Sequence, residues 1–250
     1  GFDGTTLKEL SWQDIDKEII GKLNPASKIR ILSGTIMSPS AKRAVQDFCA
    51  KFPASKHISY DPISSAALLQ ATQDCFGERV VPEYRFDLAE TIVSFNADFL
   101  GTWISPIEYA AQYVTRRTIN PENPSMSKHF QVESQMSLSG SNADNRILVK
   151  PSELGAAIAF LYNEIASKTG GTATSGPALN EKAKKALSIA ADALLANKGK
   201  SLVVSASNNV AEQTLIHAIN QLLGNIGLTV NFSNASNQRQ GNDLQLSELI

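Results

Sequence analysis

The sequence predicts an α/β protein, a three-layer, doubly wound and mostly parallel sheet of the Rossmann-like kind with part of a second α/β lobe. Three observations point there. Short apolar runs alternate with helical patterns along nearly the whole chain. The two clearest runs, Thr91-Ile92-Val93-Ser94-Phe95 and Ser201-Leu202-Val203-Val204-Ser205, read as strands covered on both faces. Neither a solenoid repeat nor a low-complexity tract interrupts the alternation.

The elements follow in order. Ser11-Trp12-Gln13-Asp14 reads as a helix cap, after which Trp12, Ile15, Ile19 and Leu23 form one apolar face ended by Asn24-Pro25. Ile29-Arg30-Ile31-Leu32 is a strand running into Ser33-Gly34-Thr35, and Ser38-Pro39-Ser40 opens the next helix, which carries Ala44, Val45, Phe48 and Cys49. A strand at His57-Ile58-Ser59-Tyr60 precedes a helix over 64–76 that Gly77 closes. After the strand from Thr91, Ser105-Pro106 starts a helix through Tyr109 and Tyr113 to Arg117. Further strands are expected at 128–133, 147–149, 201–205 and 228–232, and further helices at 152–166, 180–197 and 209–223. The expected division is a partial N-terminal lobe over 1–56, a Rossmann-like domain over 57–232 and a polar return segment over 233–250. Its starting Gly1-Phe2 and a helix start at Leu244-Gln245-Leu246 read as cut ends, so the native protein is expected to be longer.

Bulk chemistry removes several classes. With 42% apolar and 19% charged residues and a net charge of −1, nothing calls for nucleic acid. Cys49 and Cys75 lie outside any paired-cysteine pattern, so no iron–sulfur cluster or structural zinc is expected in this segment, and both are expected in helix cores. Neither a leader nor a run of membrane-spanning length is visible, so no direct membrane insertion is expected. There is no G-x-S-x-G elbow, H-E-x-x-H pair or P-loop.

In such sheets a ligand sits beyond the carboxyl ends of the strands, where glycines let phosphate approach backbone N–H groups. Here those turns read Asn96-Ala97-Asp98, Lys150-Pro151-Ser152-Glu153 and Ser205-Ala206-Ser207-Asn208, all without glycine. Dinucleotide binding in the usual mode is therefore disfavoured on steric grounds. His57, His129 and His217 are scattered and read as core or surface residues. Asp87 and Glu90 read as solvating a strand lead-in, Asp98 as a cap and Arg116-Arg117 as complementing a helix dipole.

In sequence order, several segments resemble the molybdopterin oxidoreductases. Ser11-Trp12-Gln13-Asp14-Ile15 is similar to that family's "SWxxA" helix start, and Val93-Ser94-Phe95-Asn96-Ala97-Asp98 stands where the family has a strand and G-x-N-P turn. Gln131-Val132-Glu133-Ser134-Gln135 stands where it has D-P-R, with Asn142-Ala143-Asp144 at the A-D that follows. Lys150-Pro151-Ser152-Glu153-Leu154 stands at P-G-T-D, and Leu222-Leu223-Gly224-Asn225-Ile226-Gly227 at L-T-G-N-x-G. The stretch from Asp87 to Trp103 and Gly199-Lys200-Ser201-Leu202-Val203-Val204 resemble the cofactor-less branch formed by the large iron–sulfur subunit of alternative complex III.

That resemblance implies a non-catalytic domain of a membrane-bound, quinol-oxidising respiratory complex on the periplasmic side of a bacterial inner membrane. Other subunits of that complex would be its partners, with iron–sulfur clusters elsewhere in the parent protein and no cofactor in this segment. It implies no catalytic residue and no metal ligand, and marks Asn96, Ala97, Glu133, Gln135, Ser152, Leu154, Ala206 and Ser207 as degenerate cofactor positions. Near Tyr60–Ala66, where active members carry the metal ligand, no cysteine stands and Ser64 and Ser65 are the available hydroxyls. Two alternatives stay open: an active molybdopterin-dependent oxidoreductase of the polysulfide-reductase type, and a two-lobed small-molecule binding module.

Overall fold

The computed structural model describes all residues except 3, 120 and 123. The first part of the chain forms α1 (Trp12–Lys22), β1 (Arg30–Ser33), α2 (Pro39–Lys51), β2 (Lys56–Ser59), α3 (Ala66–Phe76) and β3 (Val81–Tyr84). The central part forms β4 (Thr91–Phe95), α4 (Pro106–Thr115), β5 (Lys128–Glu133), α5 (Leu138–Ser141) and β6 (Asn145–Leu148). A 3-10 turn at Pro151–Glu153 leads into α6 (Leu154–Thr169), α7 (Glu181–Ala196), β7 (Ser201–Ser205), α8 (Val210–Leu222), β8 (Val230–Ser236) and α9 (Asp243–Leu249).

Local chemistry sets these limits. The Ser11 hydroxyl accepts from the Asp14 N–H at the head of α1, and Ser38 does the same for Ala41 ahead of Pro39 in α2. Gly77 ends α3 at φ 82°, where a side chain is disfavoured. Asn180 and Asn209 cap α7 and α8 through their side-chain carbonyls.

The central sheet is parallel throughout, in the order β6-β5-β4-β7, with Thr91 opposite both Lys128 and Ser201. Alternate side chains feed two cores. Val93, Phe95, Phe130, Val132 and Val203 pack beneath α6, α7 and α8, while Ile92, Leu202 and Val204 meet α3 and α4 on the other face. The fold is therefore mixed α/β with a parallel central sheet and helices on both faces, a layout compatible with the Rossmann-like expectation. Every residue of β4 and of β7 is buried, as their unbroken apolar runs require.

Two smaller sheets flank this centre. β1 and β2 pair in parallel, and β8 leaves the series to pair antiparallel with β3, placing Tyr84 opposite Val230. The sequence reading misses β3, because Pro82 sits in its middle; as one of only two strands, β3 tolerates the missing donor. β2 spans the boundary expected at 56/57, and β8 runs past the one expected at 232/233.

The apolar face expected of α1 is uncovered for the most part, with Trp12 80% and Ile19 49% exposed. Both cysteines are helix-borne, yet neither is in a core: Cys49 is half-buried and Cys75 exposed. Among the described residues no helix is long and apolar enough to cross a membrane.

Candidate functional site

The chain order places the reversal of the central sheet between β4 and β7, since β5 and β6 add on one side of β4 and β7 on the other. Open parallel sheets bind ligands in the crevice above such a reversal. A crevice lies there, with a volume of about 150 Å³. Its walls are the turns after β4 and β7, the start of α3 at Ser64 and Ser65, and Arg239 from the segment after β8.

The turn after β4 keeps the backbone shape of a glycine turn without the glycine. Asn96 lies at φ 56°, in the left-handed region, and asparagine is the side chain that tolerates it best. Ile104, also lining the crevice, lies at φ 53°, which for a β-branched residue costs about 1–3 kcal/mol. Both non-glycine residues with positive φ among those described thus border the same crevice. The surrounding structure imposes these conformations. Ser94 Oγ donates to the Ala97 carbonyl at 2.9 Å and the Asn96 N–H to the Val132 carbonyl at 2.7 Å, while Ala97, Phe99 and Ile104 are core residues.

Asp98, Ser205 and Gln213 of the crevice, and Glu133 at the strand end beside it, are engaged within the chain. Asp98 Oδ1 accepts from the Ser139 N–H and hydroxyl at 2.9 and 3.0 Å, fixing α5 beneath the turn. Its backbone carbonyl accepts from the N–H groups of Gly101, Thr102 and Trp103. Gln213 Nε2 donates to the Ser205 and Ser207 carbonyls at 3.0 and 2.7 Å, and Ser205 Oγ accepts from the Ser207 N–H. At the end of β5, Glu133 is 1% exposed and accepts from the Ser137 hydroxyl at 2.6 Å and Arg146 Nε at 2.5 Å. A Cβ at Gly140 would collide with that carboxylate, so glycine is required at this close approach.

Of the eight degenerate positions, Asn96, Ala206 and Ser207 line the crevice and Ala97 packs directly beneath it. Glu133 is buried in its own ion pair, Gln135 is exposed, Ser152 is exposed on the 3-10 turn, and Leu154 packs against the α6–α8 core; none of these four lines the crevice. Ser64 lines the crevice with its hydroxyl donated to Asp243 at 2.8 Å, and Ser65 lies beside it. Trp103, Ile104 and Arg239 were not legible as crevice residues. Only the turn-forming Gly101-Thr102 ahead of Ser105-Pro106 hints at the first two, and Arg239 arrives from a distant segment.

The histidines have structural roles. His129, fully buried, has Nδ1 at 3.2 Å from the Tyr113 hydroxyl and Nε2 at 3.1 Å from Gln131 Oε1, and burial pushes its pKa down to about 4. His217 Nε2 lies 3.1 Å from Thr72 Oγ1, and burial lowers it equally, to about 4. His57 Nε2 lies 2.8 Å from Ser33 Oγ, holding β2 to β1. Arg116 pairs with Glu90 and Arg117 grips Asp144 through two bonds of 2.6 and 2.9 Å, so both cations serve ion pairs rather than only a helix end. Asp87 is likewise paired, with Arg85, instead of merely solvated. Among the described residues no group of three or more His, Cys, Asp or Glu side chains is placed to hold a metal ion.

No known family profile matches the chain, and no curated protein matches it. Among solved structures it is similar to the formyltransferase/hydrolase complex (FhcABCD) from Methylorubrum extorquens, determined in complex with methylofuran, at 14% identity and a TM-score of 0.58. The similarity covers 86% of this chain and 56% of that one, so this chain spans about half the length of its structural relative. At that identity the likeness is one of fold.

These findings overturn the resemblance to the molybdopterin oxidoreductases and to alternative complex III, which no comparison supports. The physical reason lies in the motifs themselves, which the structure accounts for as parts of any such fold. Ser11-Trp12-Gln13-Asp14 is a helix cap, and Lys150-Pro151-Ser152-Glu153 a helix entry with proline at its first position. Leu222-Leu223-Gly224-Asn225-Ile226-Gly227 is a turn whose glycines sit at φ 69° and 83°, around an Asn225 buried against Asn220 and Ser201. The quinol-oxidising, iron–sulfur and periplasmic setting came only with that resemblance.

Proposed function

We propose that the chain is a non-catalytic scaffold domain of a multi-subunit assembly, in which a nucleotide-type sheet is kept for packing and its ligand crevice is closed. One observation carries this reading: the crevice at the sheet reversal measures about 150 Å³, below the roughly 300–1,000 Å³ of small-molecule sites. The bonds of Asp98, Ser205 and Gln213 within the chain support it, because a ligand would have to displace them. The similarity to a chain from a formyltransferase/hydrolase complex supports the assembly half of the proposal.

Mass measurement on the full-length protein purified under mild conditions from its native cells tests that half. The expected species contains other subunits in fixed stoichiometry. A full-length protein that elutes alone at its own mass, and shows turnover on its own, contradicts the proposal.

A further inference from the structure

A second and larger cleft lies away from the central sheet, about 720 Å³ in volume, between β1–β2, α2 and the C-terminal α9. Its volume falls within the range of small-molecule sites. Ile58 is its buried floor, and Ile36, Val45, Cys49 and Leu249 add apolar wall. Of its Lys, Arg, Asp and Glu residues, Arg30, Lys42 and Lys56 are cationic and Glu248 alone is anionic. Arg30 is held in place by donating to the Ile29 and Ala54 carbonyls, both at 3.0 Å.

Two lining serines set this cleft apart from the crevice at the sheet reversal. Ser55 is 8% exposed, and its hydroxyl, like that of Ser59, is buried without a hydrogen-bond partner among the described residues. An unmatched buried hydroxyl has given up its bonds to water without replacement. A ligand acceptor reached by rotation of the side chain would supply one.

We infer that this cleft binds a small organic anion with an apolar body, its carboxylate, sulfonate or phosphate held by Lys42, Lys56 and Arg30 and its body laid on Ile58. The occupant is a small molecule rather than another protein surface, because the cations border a concave apolar floor instead of a flat patch. The site is separate from the crevice, so the scaffold reading stands or falls without it.

The test uses 8-anilino-1-naphthalenesulfonate as the anionic probe and the uncharged N-phenyl-1-naphthylamine as its control, titrated into the whole chain. The sulfonate is expected to bind saturably at one site. Its affinity should drop about tenfold in a Lys42→Gln/Lys56→Gln variant, while that of the neutral dye stays unchanged. Added salt should weaken the sulfonate alone in the unaltered chain, a readout that does not depend on the variant folding. Absence of saturable binding overturns the inference. So does sulfonate affinity indifferent to both salt and the substitutions, which would place the dye on the exposed face of α1. Dye loss as protein concentration rises, with dimers in sedimentation, would show a second copy covering the cleft and overturn it equally.

Discussion

The crevice above β4 and β7 and the cleft beside β1 and β2 are opposites in construction. The first stands where this fold class holds ligands, yet it is small, and Asp98, Ser205 and Gln213 are bonded to their own chain. The second stands on a two-stranded sheet where no rule places a ligand, yet it is roomy, cationic and lined by unmatched hydroxyls. A topological rule says where a ligand fits in principle; the satisfaction of polar groups says whether room and bonding capacity remain.

The largest contrast is expected in the cores beneath the two regions. Phe95→Ala removes a fully buried ring from the central sheet and should cost about 3–5 kcal/mol in denaturant unfolding. Val45→Ala, in a helix without one fully buried residue, should cost less than about 1 kcal/mol. Equal costs would mean that the lobe around β1 and β2 is as tightly packed as the centre.

Acid should strike the centre next. His129 and His217 are neutral in the fold, with values near 4 against 6.5 for the free side chain. Because the unfolded chain binds these protons first, stability is fully present above pH 6.5 and falls as pH drops through 4, by roughly 3 kcal/mol for each histidine. Thermal melts between pH 7 and 4 should show this slope, and His217→Gln should flatten it.

Beside the β1–β2 cleft, Asp61 ties the loop after β1 to the segment leading into α9. Burial raises its pKa, but donation from the Thr35 hydroxyl and N–H and from the N–H groups of Gly241 and Gln240 outweighs this and holds the carboxyl below its usual value. Asp61→Asn should cost about 1–3 kcal/mol and speed hydrogen exchange around Gly241 and α9 before it affects β4. Unchanged exchange there would separate α9 from the cleft. At the crevice, Asn96→Val should cost about 1–3 kcal/mol, whereas Asn96→Gly should fall within about 0.5 kcal/mol of the unaltered chain. A valine tolerated as well as glycine would show that the turn is not held in the left-handed region.

Much of the fold was legible because β4, β5 and β7 carry their burial in consecutive residues and α2, α3, α7 and α8 carry their own caps. The pairing of β3 with β8 was not, since it joins residues about 150 apart through a proline-containing strand. The absent glycines at the turns were read directly, but Asn96 shows that their absence does not abolish the backbone shape they serve. The bonding within the crevice lay beyond reach, because it depends on Ser139 and Gln213 arriving from two other segments, and its wall at Arg239 comes from a third. The β1–β2 cleft was not read from the sequence: its cations and serines all lie between Arg30 and Ser59, but the cleft takes shape only where Gln240, Gln245, Glu248 and Leu249 of the C-terminal segment pack beside them.

Calorimetric titration of the chain with NAD⁺, FAD and GDP bears most directly on the closed crevice. No saturable heat that Ala206→Trp abolishes is expected at ligand concentrations up to about 1 mM, either in the unaltered chain or in Asn96→Gly. Saturable binding of any of the three, lost when Ala206→Trp fills the crevice, would contradict the account.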